Sequence, residues 1–95
     1  MDLDVSGEII EWRGPAPYTF VETPEAVSAA IEAVSSMVTY GWGCIPVAVR
    51  LGGTDFRTSL FPREDKYLVP IKAAVRRAER VDVGDQVTLR LTLDV

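Results

Sequence analysis

The chain has 95 residues, 47% hydrophobic and 25% charged, an ordinary globular mixture that fits a single domain over residues 1–95. Its net charge of −4 weighs against non-specific nucleic-acid binding, which needs a dense basic footprint. The absence of histidine removes the commonest general base and transition-metal ligand, which excludes triad hydrolysis and His-based metal sites. A carboxylate-only site stays open, but Asp and Glu are not spaced as a Ca²⁺ loop requires, and no metal or cofactor is expected.

No apolar run approaches the roughly 20 residues that cross a bilayer, and the acidic start MDLDVSGEII is unlike a signal peptide. A cytoplasmic location with no membrane partner is therefore expected. The charge is uneven: residues 1–40 hold seven acids against Arg13, whereas residues 41–95 hold nine bases against seven acids. A local basic patch remains allowed.

In chain order, Leu3, Val5 and Ile9 alternate with Asp4, Ser6 and Glu8, which predicts a first strand over residues 3–12. Ile9 and Ile10 are adjacent and Trp12 continues the second parity, so a bulge or bend is expected there. Gly14-Pro15-Ala16-Pro17 breaks this strand, and Tyr18 to Glu22 forms the next. Thr23-Pro24-Glu25 reads as a helix start, with Thr23 as N-cap and Pro24 in the first turn. Val27, Ala30, Ile31, Val34, Met37 and Val38 then recur at helical spacing as a buried stripe, with Ser28 and Glu32 on the polar side. Tyr40-Gly41-Trp42-Gly43 ends the helix, and Tyr40 and Trp42 are candidates to cap the core or line a pocket.

Residues 44–61 carry the clearest pattern. Ile45, Val47, Val49 and Leu51 alternate with Pro46, Ala48 and Arg50, and Gly52-Gly53 suits a two-residue primed turn with positive φ. The turn fixes the register. Leu51, Val49, Val47 and Ile45 face Thr54, Phe56, Thr58 and Leu60 on the core side, and Arg50, Ala48 and Pro46 face Asp55, Arg57 and Ser59 on the other. Cys44, the lone thiol, opens this hairpin and reads as buried and inert.

Pro62 to Lys66 is expected to be a polar turn, followed by a short strand, Tyr67 to Val69. Pro70 starts a second helix with Ile71, Ala74, Val75 and Ala78 buried, and with Lys72, Arg76, Arg77 and Arg80 forming an exposed positive ridge partly neutralised by Glu79. Val83-Gly84-Asp85 turns into a last alternating strand, Gln86 to Asp94. Six short strands and two helices make a mostly β, α+β domain, folded as a small antiparallel split β-barrel.

The segments Gly52-Gly53, Arg57 to Pro62, Tyr67 to Lys72, Val75 to Ala78 and Gly84-Asp85, together with Gly41 to Gly43, resemble a family of small prokaryotic domains of unknown function. Such domains occur alone or beside bacteriocin-protection domains of the YdeI/OmpD-associated kind. The resemblance spans essentially the whole chain. It implies a split β-barrel distantly like those of transition-state regulators and antitoxins, and it implies no activity.

The residues themselves point first to a non-enzymatic binding or interaction module for a small anionic ligand or an acidic protein surface. Arg57, Thr58 and Ser59 would orient the anion, and Lys72, Arg76 and Arg77 would supply charge. A DNA-binding dimer is the second reading. An enzyme using Asp, Glu, Tyr or Lys is the third, without a convergent set of residues to carry it.

Overall fold

The computed structural model describes residues 1–13, 18–38 and 43–94. In chain order these form β1 (Asp2–Glu8), β2 (Ile10–Trp12), β3 (Tyr18–Glu22), α1 (Glu25–Val38), β4 (Ile45–Leu51), β5 (Thr54–Arg63), β6 (Lys66–Pro70), α2 (Ala73–Glu79) and β7 (Gln86–Thr92). The strands make one antiparallel sheet in the order β1-β7-β4-β5-β6-β3-β2, curled into a half-barrel. Its two edges are consecutive pieces of one segment. The parity change at Ile9-Ile10 explains why: Ile9 is fully buried between the two strands, its N–H donates to the Asp85 carbonyl, and Gly84 N–H donates back to Ile9 O. The bend sends β1 to β7 and β2 to β3, so the predicted single first strand becomes two and the described strands number seven.

The inner wall is a continuous apolar cluster. Val5, Val47, Val49, Leu51, Leu60, Val69, Leu89 and Leu91 are all buried, each from the inward parity of its strand, and Ile31 of α1 joins them. The β4–β5 register is the one the glycine turn dictates, from Leu51 opposite Thr54 to Ile45 opposite Leu60. Only Gly52 of the pair has positive φ (59°), so the turn differs from the expected form with two left-handed residues. A Cβ at Gly52 would stand 2.0 Å from Glu79 Oε1. The Glu79 carboxylate clasps the turn by accepting from Gly53 N–H at 3.3 Å and from the Thr54 hydroxyl, instead of neutralising the α2 bases.

Several local expectations change. The Pro62 region is strand, not turn: β5 runs to Arg63, Pro62 sits opposite Tyr67, and Glu64 takes the left-handed conformation (φ 57°) in the turn that follows. β6 accordingly extends through Pro70, and Ile71 N–H donates to Thr19 O, which delays α2 to Ala73. Within α2 only Val75 is buried; Ala74 and Ala78 are exposed because the helix is short and packs by one residue and by its end. In α1, Ile31 is buried and Val27, Ala30 and Val34 are half-buried, but Met37 is 73% exposed near the helix end. Ser28, placed on the polar side by periodicity, is instead buried. Its hydroxyl shares a 2.6 Å hydrogen bond with the Thr23 hydroxyl and donates to Pro24 O at 2.9 Å. Thr23 in turn accepts from Tyr67 N–H at 3.1 Å, which ties the start of α1 to β6. Cys44 is buried. Tyr40 and Trp42 lie outside the described residues.

Candidate anion-binding face

The outward parity of β1, β7, β4 and β5 sets side chains in rows across the sheet. One row reads Asp4, Arg90, Arg50, Asp55, and the next reads Asp2, Thr92, Ala48, Arg57. Arg50 and Arg90 are thus direct cross-strand neighbours, an arrangement that like charges disfavour. Each is balanced from outside: Arg90 Nε lies 3.2 Å from Asp4 Oδ1, and Arg50 Nη1 lies 3.5 Å from Asp55 Oδ2. These side chains are more than half exposed, so each pair contributes little, about 0–1 kcal/mol.

Arg57 has no such partner. Among the described residues its exposed guanidinium makes no hydrogen bond or ion pair. Beside it, Ala48 and Thr92 are short, and a groove of about 370 Å³ opens there, lined by Arg57, Arg50, Arg90, Asp55, Ala48 and Thr92 with parts of Val49 and Phe56. Three guanidiniums and one carboxylate leave this lining with a net charge of +2. A guanidinium is always charged and presents a fork of donors matched to oxyanions.

The other sequence candidates separate from this groove. Ser59 lies on the same outward face as Arg57, opposite Pro46, whereas Thr58 stands opposite buried Val47 and turns toward the interior. Lys72 is the N-cap residue of α2. Arg76 and Arg77 line a different hollow with Ala73, Arg80, Asp82 and Asp85, which shares no residue with the groove at Arg57. Arg76, expected on the exposed ridge, is half-buried and tied to the β3–β6 side of the sheet. Its Nη1 donates to the Thr19 hydroxyl and, at 2.5 Å, to Ile71 O, and its Nε lies 3.7 Å from Asp82. The i,i+4 spacing places Arg76 in line with Lys72 and Arg80 but does not show that Thr19 waits beneath it. Arg50 and Arg90 line the groove without being among the sequence candidates. Arg50 carried a signal, its pairing with Asp55 across the hairpin, but Arg90 joins only through the β4–β7 pairing, which no local pattern announces.

A second hollow, of about 470 Å³, lies between α1 and the β5–β6 turn, beside Glu25, Glu32, Glu64 and Tyr67. The Tyr67 hydroxyl donates to Glu32 Oε2 at 2.8 Å. Burial first, and then the hydrogen bond and negative charge of Glu32, push the Tyr67 phenol up to about 12. It remains a neutral donor across the physiological range. Among the described residues no group of three or more Asp, Glu or Cys is placed to hold a metal ion, and no helix is long and apolar enough to cross a membrane.

Fold and face together define a small α+β half-barrel domain with an arginine-lined groove on its outer wall. The chain belongs to the family described as domain of unknown function (DUF1905), whose model matches residues 6–91. That span reaches from the middle of β1 to nearly the end of β7 and so includes the bend at Ile9, both helices and every lining residue of the groove but Thr92. No curated protein matches the chain.

Proposed function

We propose that this domain is a non-enzymatic, cytoplasmic binding module that recognises an anionic ligand through Arg57, with Arg50 and Arg90 framing the same groove. The observation that carries this reading is the exposed Arg57 guanidinium, without a described partner, set beside two small residues and two weakly held arginines. A small anion suits the face better than a nucleic-acid backbone. Asp2, Asp4 and Asp55 flank the arginines on the outward rows, and a polyanion running past the groove would meet them. The phenol beside the second hollow, Tyr67, is held protonated, which removes it as a general base.

The test is a titration of the full chain with pyrophosphate and citrate at low ionic strength, followed by the arginine side-chain and backbone amide resonances. Shifts should cluster at Arg50, Arg57 and Arg90, and Arg57→Ala should weaken binding at least tenfold with an unchanged melting temperature. Shifts that cluster instead at Arg77 and Arg80, or an undiminished affinity in Arg57→Ala, would place the site elsewhere.

A further inference from the structure

We infer that the groove selects a doubly charged phosphate monoester carrying a compact flat or apolar body, in preference to a carboxylate or a phosphodiester. This inference rests on the anion-binding reading above and narrows it to a ligand class. The first argument is charge. Arg50, Arg57 and Arg90 stand in the groove with Asp55 in the lining and Asp4 just outside it, and the exposed pairs these acids make with Arg50 and Arg90 contribute only about 0–1 kcal/mol each. A phosphate monoester, at about −1.5 to −2 at neutral pH, offers the guanidiniums more than the single charge of a carboxylate or diester. The second is donor geometry. All three cations are arginines, whose forked donors engage oxyanions in pairs, and the three equivalent oxygens of a terminal phosphoryl group accept from more than one guanidinium at once.

The cross-strand row supplies the third argument. Arg50 stands directly opposite Arg90, and their only described carboxylate partners, Asp55 and Asp4, sit on the far side of each. A dianion seated at the groove relieves that repulsion from the inside, and a monoanion relieves only part of it. The fourth is the floor. Ala48 and Thr92, with the methylene stems of the arginines, make the lining mostly apolar between the guanidinium heads, and about 370 Å³ lies at the small end of ligand sites. The volume admits a body the size of one ring and its phosphoryl group, not an oligomer.

The experiment is isothermal titration of the full chain at low salt with phenyl phosphate, methyl phenyl phosphate, benzoate and inorganic phosphate. Phenyl phosphate should bind at least tenfold more tightly than methyl phenyl phosphate and benzoate, which share its ring but carry one charge. It should also bind more tightly than inorganic phosphate, which lacks the ring. Arg57→Lys, which keeps the charge and loses the fork, should lose most of that preference while melting like the parent. If all four anions bind equally and through Arg57, the anion site stands and the monoester inference fails. If none binds, both fail. If phenyl phosphate binds the Arg57→Ala variant as it binds the parent, the groove is not its site and the inference is overturned.

Discussion

Replacing Arg76 by alanine tests whether this arginine belongs to the binding surface or to the framework. Its Nη1 donates to the hydroxyl of Thr19 and to the carbonyl of Ile71, on residues that are only 6% and 2% exposed. Hydrogen bonds to a charged group contribute about 1.5–3 kcal/mol each. The Ile71 carbonyl keeps a second donor, the Thr19 hydroxyl at 2.8 Å, so it is not orphaned and the loss is nearer one such bond than two. The 3.7 Å contact to Asp82, whose side chain is 80% exposed, adds under about 1 kcal/mol. Arg76→Ala should therefore cost about 2–3 kcal/mol in urea unfolding. At about 4–8 °C per kcal/mol for a domain of this size, the melting temperature drops by about 10–20 °C. Arg57→Ala, whose side chain is exposed and has no described partner, should stay within about 0.5 kcal/mol of the parent. Equal stabilities for the two variants would refute the structural role of Arg76 and restore it as a candidate ligand contact.

Gly52→Ala should cost about 1–2 kcal/mol in the same unfolding assay. The left-handed backbone there carries a steric cost for alanine, and the new methyl dislodges the Glu79 carboxylate from the turn. Gly53→Ala meets no atom within 4 Å and should cost under about 0.5 kcal/mol. Ile9→Ala should cost about 2–5 kcal/mol by opening a cavity at the bend where the two sheet edges join, as read by denaturant midpoint. The Tyr67 phenol titrates near 10 in the unfolded chain and at about 12 when folded, so the unfolded state gives up its proton first. The contribution of Tyr67 to stability is thus complete below pH 10 and is lost as pH rises from about 10 to 12; Tyr67→Phe should remove that part of the decline, followed by unfolding midpoint against pH.

The parts of this fold legible in the sequence are those settled over short chain distances. The β4–β5 hairpin follows from four alternating aliphatics and a Gly-Gly pair, because a turn of fixed length leaves one register that buries Val47 and Val49. The bend at Ile9 shows as a change of parity. Ser28 and Arg76 were not legible for a common reason: periodicity assigns polar residues to the wet side, and each instead finds a buried partner contributed by another element, Thr23 for one and Thr19 for the other. The boundaries around Pro62 and Pro70 differ because the sequence reads Pro62 as opening a turn and Pro70 as opening a helix, whereas both lie within strands. On these strands Pro62 and Pro70 occupy places in the pairing that the sheet tolerates.

The groove itself shows the same division between near and far. Half of it, Arg57 beside Ala48 and Arg50 beside Asp55, comes from a hairpin whose strands are joined by two residues. The other half, Arg90 and Thr92, arrives from the last strand after the whole β5–β6–α2 excursion, and its alternation alone says only that one face is wet. What brings Arg90 opposite Arg50 is the burial of Leu89 and Leu91 against Leu51 and Val49, since the inward parity of both strands fixes the outward one. Core packing thereby forces two like charges into adjacency. A threonine at either position would remove that repulsion, at the loss of the weak pair with Asp55 or Asp4. A third cation, Arg57, stands next to them with only short side chains between, and this clustering is what the proposal of an anion-binding face rests on.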